Sequence, residues 1–393
     1  MQKSLYTLFL SLPIVLSALS VTQIDLTRPT PAANNPQALV MSPDGKEVFI
    51  ANNNSNTVSV VDTASKDVFQ IDLKIGNPVA FGPQALAISP DGAEIYVANS
   101  GSNSVSVITT ASKAILQINL ATGSVPGEAP SCLAVNPNGN EVYVVNSKSG
   151  SVSVIAVPTK NVQQVDLETG ASSEKIINAV AVTPFGSEVY ITDSAHNRVT
   201  VMDCLTKKIR HVNLSTGTVP AQSPVALVIS NDGRRVYIAN RDSSSLSIIN
   251  TGTKAVTQVN LKTNQLPADS PEALTLAPDN IELYIANRKS NTVSVYNTQN
   301  GSVRQINLTT GTPEARGPLA IEIDPEGINV YVAHTDSNSA SIINTATKSV
   351  RQVDLSPGER PKNLAITPNG NEIYFINSKS NSVSVLNMSR QGK

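Results

Sequence analysis

Short apolar phrases alternate with polar turns along almost the whole chain, and the most regular phrase occurs eight times. Each copy places one aromatic residue among β-branched and small apolar residues and ends in a polar residue. The aromatic positions lie 47 residues apart six times and 43 apart at the last step: Phe49, Tyr96, Tyr143, Tyr190, Tyr237, Tyr284, Tyr331 and Tyr374. A period in this range is typical of stacked supersecondary units. The pattern therefore predicts a repeat architecture with one unit for each copy.

Each unit contains four runs with the pattern of β-strands. The first follows a proline and ends in a tight turn whose third position is Gly in seven units and Asn280 in the sixth. Both residue types tolerate the positive φ that such a turn needs. The second run is the aromatic phrase, the third is exemplified by residues 57–61, and the fourth by residues 68–73. Hairpin-sized gaps separate the four runs, so each unit is predicted to be an antiparallel sheet.

The two ends of the chain complement each other. The eighth unit has no fourth strand after residues 383–387, whereas an extra copy of that strand, residues 21–26, comes near the start of the chain. Pairing the two would leave no exposed sheet edge. The sequence therefore predicts an all-β fold: an eight-bladed β-propeller of four-stranded antiparallel blades, closed by the N-terminal strand. Seven blades are the alternative, and residues 21–393 are predicted to form one domain.

The phrases Tyr284 to Asn287 and Tyr96 to Asn99, together with the following run Ser290 to Val295, resemble the YVTN-type β-propeller repeat. The resemblance covers nearly the whole chain after residue 20. It implies an exported protein, on a microbial surface or in the periplasm, with a fold similar to that of lactonase-like propeller enzymes. Members of that family commonly have seven blades, and this chain departs from them with eight units. Such a fold hosts many functions, so it names no activity.

The N-terminus has the pattern of an export signal. Lys3 precedes an apolar run from Leu5 to Leu19, and small residues lead to a predicted cleavage after Ser20. The run is short for a membrane span, and the alternative is a buried helix. Residues 1–20 are therefore predicted to be a signal peptide, which places the mature protein in the periplasm, on the cell surface or outside the cell. We expect a monomer with no integral membrane span after signal removal.

The composition of the chain limits the classes of partner and cofactor that are expected. The 393 residues are 15% charged, with a net charge of −1 and a pI near 6.3. Nucleic-acid binding normally shows a basic excess, so no nucleic-acid partner is expected. No Trp, phosphate loop, haem motif or Gly-x-Ser-x-Gly elbow is present. The sequence therefore predicts no cofactor and no metal.

The connectors between units and the loops between second and third strands are expected to open on one face, which is the natural binding surface. The candidate binding residues there are Arg198, Arg241, Arg288 and Asp336. The alternative is ordinary solvated loop charge, because acidic and basic residues are interspersed.

The repeat is its own control, since a position that is constant in most units shows what the fold requires. The second strand ends in Asn in six units, which we interpret as an Asn that bonds its own turn. The exceptions are Asp193 and His334. His196 stands where every other unit has Ser, and Glu322 where the others have Ala, Val or Thr. These four residues form a hypothetical catalytic group, because carboxylates and imidazoles can move protons. Drift is the alternative for each change.

Taken together, the sequence favours an exported, non-catalytic binding scaffold that presents its loop-rich face to a protein or glycan partner. The alternative is a small-molecule hydrolase or lyase, lactonase-like, with its site at the channel mouth.

Overall fold

A computed structural model of the chain describes residues 19–123, 125–168 and 178–388. Every regular element in these ranges is a β-strand, and the strands form eight antiparallel sheets of four strands each. The prediction of eight blades is confirmed, and the seven-bladed alternative is excluded. Across the same ranges no helix has the length and apolar character needed to cross a membrane. Residues 1–18 of the predicted signal peptide lie outside the described residues, so that peptide and its cleavage stay predictions.

The first four blades follow the chain in order. Blade 1 contains β2 (Pro36–Met41), β3 (Glu47–Asn52), β4 (Thr57–Asp62) and β5 (Val68–Asp72). Blade 2 contains β6 (Pro83–Ile88), β7 (Glu94–Asn99), β8 (Ser104–Thr109) and β9 (Ile115–Asn119). Blade 3 contains β10 (Pro130–Val135), β11 (Glu141–Asn146), β12 (Ser151–Ala156) and β13 (Val162–Asp166). Blade 4 contains β14 (Val180–Val182), β15 (Glu188–Asp193), β16 (Arg198–Asp203) and β17 (Ile209–Asn213).

The other four blades continue the series, and the last takes one strand from the N-terminus. Blade 5 contains β18 (Pro224–Ile229), β19 (Arg235–Asn240), β20 (Ser245–Asn250) and β21 (Val256–Asn260). Blade 6 contains β22 (Pro271–Leu276), β23 (Glu282–Asn287), β24 (Thr292–Asn297) and β25 (Val303–Asn307). Blade 7 contains β26 (Pro318–Ile323), β27 (Asn329–His334), β28 (Ser339–Asn344) and β29 (Val350–Asp354). Blade 8 contains β30 (Pro361–Ile366), β31 (Glu372–Asn377), β32 (Ser382–Asn387) and β1 (Ser20–Asp25).

The blades form a closed ring with the first strand of each blade innermost. Each innermost strand contacts the innermost strands of both neighbouring blades, and β30 contacts β2 to complete the circle. The N-terminal strand β1 pairs antiparallel with β32, from Ser20 opposite Asn387 to Asp25 opposite Ser382. The predicted closure is therefore confirmed, and β32 is left with no unpaired edge.

The core lies between the blades rather than within any one of them. The aromatic phrase is buried on both faces, and its aromatic ring packs with the second and third strands of the next blade. Between blades 1 and 2, for example, Phe49 and Val60 pack against Ile95 and Val97. Each fully buried side chain of this size contributes about 1.5–3 kcal/mol. A second strand that is apolar on both faces is thus explained by its position in the middle of the ring wall.

Tight turns define the two faces of the ring. The turn between the first and second strands has positive φ at its third position, 72° at Gly45 and 60° at Asn280. We call the face that carries these turns the turn face. The connectors between blades lie at the opposite ends of the strands, beside the loops between second and third strands, and form the connector face.

A chain of side-chain hydrogen bonds, which we call the polar belt, crosses each regular blade at its connector end. In blade 1, Asn52 Nδ2 donates to Ser59 Oγ at 2.8 Å, and Ser59 donates to Gln70 Oε1 at 3.1 Å. Gln70 Nε2 then donates to the Leu26 carbonyl of the preceding blade at 3.0 Å. The interpretation that this Asn bonds its own turn needs correction, because its amide reaches across to the third strand. The belt requires a donor at the Asn position.

On the turn face, an ion pair links most neighbouring blades. The lysine of one blade, after its third strand, reaches the glutamate that begins the second strand of the preceding blade, with Nζ to Oε distances of 2.5–2.7 Å. Each ammonium also lies 5.0–5.5 Å from the centre of the aromatic ring two residues after that glutamate. The six lysines are Lys66, Lys113, Lys160, Lys207, Lys254 and Lys348. We call this arrangement the Lys–Glu tie, and each contributes about 1 kcal/mol.

Candidate functional site

Blade 4 departs from the repeat at the connector face, where all three residues of its polar belt are replaced. Asp193 replaces the Asn that ends the second strand, Thr200 replaces Ser on the third, and His211 replaces Gln on the fourth. Thr200 Oγ1 lies 3.1 Å from His211 Nδ1, so these two members stay in contact. Asp193 does not continue the belt, since a carboxylate has no proton to donate. It turns towards the loop that follows it.

Asp193 is the centre of a small ionic cluster. Its carboxylate is nearly inaccessible, with a side chain only 3% exposed. Arg198 Nε donates to Oδ2 at 2.7 Å, and the His196 backbone amide donates to Oδ1 at 3.2 Å. His196 Nδ1 lies 2.9 Å from both carboxylate oxygens. Such charge-assisted hydrogen bonds are shorter and stronger than neutral ones, so the three side chains are held in one geometry.

The geometry fixes the His196 imidazole by one edge. Because Nδ1 faces the Asp193 carboxylate, it carries the proton, and the Nε2 atom of the neutral ring becomes an acceptor. The side chain of His196 is 36% exposed. Among the described residues Nε2 has no hydrogen-bond partner. This Asp–His pair can accept a proton or bind a hydroxyl group.

His211 extends the cluster towards the fourth strand. Burial is the main cause that lowers the pKa of its imidazole, and the nearby Arg198 guanidinium adds to the effect. The carboxylates of Glu168 and Asp193 act in the opposite direction. His211 Nε2 lies 3.9 Å from Glu168 Oε2, and Arg198 Nη2 donates to the Glu168 carbonyl at 3.2 Å. The lowered pKa keeps His211 neutral at pH 7.

Position 196 has a structural role in the other units, and blade 4 has an imidazole there in place of the Ser hydroxyl. In the seven other blades the equivalent Ser hydroxyl accepts a hydrogen bond from the incoming connector backbone at 2.9–3.1 Å. At six blade junctions an Asn of the preceding blade also accepts from the connector, as Asn56 does from Gly82 at 2.8 Å. The corresponding residue before blade 4 is Gly150, which has no side chain to offer. Blade 4 thus has His196 and Gly150 at the two positions where the other junctions anchor the connector with Ser and Asn.

The structure separates the other two catalytic candidates from this cluster. Glu322 and His334 lie in blade 7, and blades 5 and 6 stand between blade 7 and Asp193 and His196. The hypothesis of one four-residue catalytic group is therefore corrected to two separate places. The strand contacts of the ring join adjacent blades, and blades 4 and 7 are not adjacent.

His334 is fully buried and fits the polar belt of blade 7. Its Nε2 lies 2.6 Å from Ser341 Oγ, and Ser341 donates to Gln352 Oε1 at 2.9 Å. Nε2 is thus the donor, in the place of an Asn amide. His334 Nδ1 has no hydrogen-bond partner among the described residues, and the same holds for the Oδ1 atoms of all six belt asparagines. Burial lowers the pKa of His334 to about 3, so the ring is neutral at ordinary pH.

Glu322 lies on the innermost strand of blade 7, opposite Tyr331 in register. The residue keeps partial contact with solvent, but protein surrounds its carboxyl group, and this desolvation raises the pKa to about 8. The group therefore remains largely protonated at pH 7. Nothing in the structure connects it with His334 through a hydrogen bond among the described residues.

The remaining candidate binding residues are exposed or half-buried and bonded to their neighbours. Arg241 Nε lies 3.3 Å from Asp242 and its Nη2 donates to Ser223 Oγ at 3.1 Å. Arg288 Nη2 lies 3.8 Å from Asp336 Oδ1 in the next blade. These are surface pairs between interspersed charges, which agrees with the interpretation of solvated loop charge.

The described residues contain no group of three or more His, Cys, Asp or Glu side chains arranged to hold a metal ion. The sequence pattern identifies Asp193, His196 and Arg198 as candidate residues, but not Thr200 and His211. Their signal was present, because both positions depart from the repeat in the same unit. That signal can be interpreted only once the structure shows that residues 193, 200 and 211 occupy the three positions of one polar belt.

The model of the YNCE-like beta-propeller family matches residues 7–309, and no curated protein matches the chain. Among solved structures, a streptogramin B lyase is 14% identical, with a TM-score of 0.61 over 94% of this chain and 97% of the other. Virginiamycin B lyase from Staphylococcus aureus is 17% identical, with a TM-score of 0.58 over 94% and 100% of the two chains.

Kuenenia stuttgartiensis hydrazine synthase is 19% identical, with a TM-score of 0.59 over 91% of this chain and 97% of the other. Likenesses at this level of identity concern the fold. The family model, in contrast, spans most of the chain. Repeat, ring and family model agree, and the chain belongs to the YNCE-like beta-propeller family.

Proposed function

We propose that this chain is an exported, non-catalytic binding propeller whose connector face at blade 4 takes a protein or glycan partner. One observation carries the proposal: five positions that hold uncharged Asn, Ser, Thr or Gln in the regular blades change together in blade 4. They are Asp193, His196, Arg198, Thr200 and His211. Regular blades close with the uncharged set, so the fold does not require the ionic one. Four of the five introduce ionisable groups at the face where ligands of rigid rings bind.

The cluster suits a polar partner. No described residue forms a hydrogen bond with His196 Nε2, and Asp193 already orients the Arg198 side chain. Because Asp193 fixes both neighbours before a partner arrives, little conformational freedom is lost on binding. Hydroxyl or carboxylate groups of a glycan or protein match these donors and acceptors.

Export and the monomeric state belong to the same proposal. The support for export is the pattern of residues 1–20, a cation followed by an apolar run and small residues. The support for a monomer is the closed ring, in which β1 covers the edge that β32 would otherwise expose.

The test restores blade 4 to the repeat. A variant with Asp193→Asn, His196→Ser, Arg198→Ser, Thr200→Ser and His211→Gln should fold and lose binding on an array of neutral and uronic-acid glycans. For a protein partner, a photo-crosslinking residue at exposed Ala195 should yield an adduct in wild-type cells, and one at Leu205 on the turn face should not. The matched control is His334→Asn, which restores the repeat in blade 7. Unchanged glycan binding or crosslinking in the restored variant would refute the proposal.

The second candidate function is a hydrolase or lyase acting on a small molecule. The observation that favours it is the orientation of His196 by Asp193, which leaves Nε2 to act as a general base on water or on a substrate C–H group. Lactones, esters and a streptogramin B are the substrates to screen. Turnover that His196→Ala abolishes and His334→Ala retains would place this candidate first, whereas no turnover of any of them would exclude these substrates.

A further inference from the structure

A second surface departs from the repeat on the turn face, between blades 5 and 6. At six junctions the Lys–Glu tie joins neighbouring blades. Here Arg235 stands at the glutamate position and Gly301 at the lysine position. Both ends of the tie are changed at once, and the blade 4 cluster is on the opposite face.

The positive charge has moved from one blade to the other. In four of the six ties the lysine also donates to a carbonyl of its own turn, as Lys66 does to Thr63. The equivalent carbonyl in blade 6 is that of Thr298, and Arg235 Nη1 of blade 5 donates to it at 3.0 Å. The same acceptor is thus satisfied from across the junction, so the position of the cation is kept.

The negative charge, however, has not been replaced. Each regular tie contains one ammonium and one carboxylate, whereas no carboxylate among the described residues lies within the 4.0 Å of an ion pair from Arg235. Adjacent Arg234 is paired loosely with Asp232 at 4.0 Å. Arg235 remains exposed at the surface. The junction therefore carries a guanidinium without the carboxylate that neutralises the cation elsewhere.

Space for a ligand is present beside this guanidinium. A cavity of about 430 Å³ is lined by Arg235, Tyr296, Thr298 and Gly301, with Ile248 from blade 5. A Cβ added at Gly301 would meet nothing within 4 Å, so the absence of a lysine leaves this region open. Tyr296 replaces an aliphatic residue of the repeat, and its ring centre lies 6.5 Å from that of Tyr237. One wall is therefore cationic and another aromatic.

We propose that this cavity binds a small organic anion, a carboxylate or a phosphate, whose charged group takes the place of the missing glutamate. Arg235 provides the fork of donors that such groups accept. The aromatic and aliphatic walls, Tyr296 and Ile248, cover the apolar part of the molecule. The site is independent of the proposed partner face, because it lies at the opposite ends of the strands.

The test is isothermal titration calorimetry at constant ionic strength with inorganic phosphate and with benzoate as probes. The wild type should bind one anion per chain, and the preferred probe identifies the charged group. The double variant Arg235→Glu, Gly301→Lys rebuilds a regular tie and should bind at least about tenfold more weakly. Lysine suits the backbone there, because φ is 75° at Gly301 and 57–65° at the tie lysines.

Arg28→Gln is the matched control. It lowers the net charge by one, as the double variant does, at a side chain that is 85% exposed on the connector face. It should bind like the wild type. If the double variant does not fold, Arg235→Gln serves in its place and should lose binding in the same way. No saturable heat with either probe, or unchanged affinity after removal of Arg235, would overturn the proposal.

Discussion

Blades 4 and 7 replace the same residue of the repeat, the Asn that ends the second strand, with opposite results. In blade 7, His334 Nε2 donates to Ser341 as an Asn amide would, and the rest of the belt is unchanged. In blade 4, Asp193 can only accept, and it gathers His196 and Arg198 around it. The first change keeps the donor that begins the belt, and the second removes that donor and interrupts the belt.

The comparison teaches how to separate drift from a site within one chain. A substitution that keeps a hydrogen-bond donor at the Asn position leaves the belt intact, so no neighbouring residue has to change. One that removes the donor costs an unsatisfied buried group unless partners change with it. We therefore interpret the concerted change at residues 193, 196, 198, 200 and 211 as the mark of the proposed site, whereas His334 is a structural equivalent of Asn.

The largest effect is expected from Asp193→Ala, which removes the centre of the blade 4 cluster. Arg198 is only 17% exposed and would lose its carboxylate, so the free energy of unfolding should fall by about 3 kcal/mol. Asn240→Ala in blade 5 is the matched control, because it loses only neutral hydrogen bonds to Ser245 and Ser247, at about 1–2 kcal/mol. Urea unfolding measures both. Equal losses would show that Asp193 is an ordinary belt residue.

His334 should make the protein sensitive to acid. Its pKa is about 3 in the folded state against 6.5 for the free side chain, so the unfolded state binds more protons between these values. The stabilisation is complete above pH 6.5 and is lost as pH falls towards 3, by about 1 kcal/mol per pH unit. His334→Asn should flatten the dependence of Tm on pH in this window. His211→Gln should do so more weakly, since its pKa is lowered in the same direction. An unchanged slope in His334→Asn would contradict the burial of a neutral imidazole.

Glu322 should act in the opposite pH range. Its pKa is raised to about 8 from 4.5, so its contribution is complete below pH 4.5 and is lost as pH rises through 8. Glu322→Gln, which stays neutral, should gain stability over the wild type by about 1 kcal/mol per pH unit as pH rises from 4.5 to 8, and should equal it at pH 4. Thermal unfolding at the two pH values checks this. A gain of the same size at both would show that charge is not the cause.

The smallest effect is expected at the surface pair of Arg288 and Asp336. Its atoms are 3.8 Å apart and both side chains are well exposed, so Asp336→Asn should change the free energy of unfolding by less than about 0.5 kcal/mol. Partner binding at blade 4 should also be unaffected. A clear loss of binding in this variant would move the functional face towards blades 6 and 7.

The sequence was sufficient for the architecture, because eight evenly spaced phrases and one spare outer strand admit few closed arrangements. The strand pairing of residues 21–26 with 383–387 follows from counting alone. It was not sufficient for contacts whose partners lie far apart in number. The belt joins Asn52 to Gln70 through Ser59, and the tie joins Lys254 to Glu188. From the sequence alone, His334 is a catalytic candidate, and His211 is only a departure from the Gln of the other units.

The aligned sequences of the units also do not show which residue donates a hydrogen bond and which accepts it. Asp and His both replace Asn in the alignment of units, and only their partners show that one keeps the donor while the other removes it. This is why grouping Asp193, His196, Glu322 and His334 by oddity alone placed two unrelated blades in one site.

One measurement tests the central claim most directly: binding to the glycan array and crosslinking from position 195, compared between two restored variants. The first restores blade 4 at its five positions, and the second restores blade 7 with Glu322→Ala and His334→Asn. The account predicts that both variants fold and that only the first loses its partner. Binding retained by the blade 4 variant, or lost by the blade 7 variant, would contradict it.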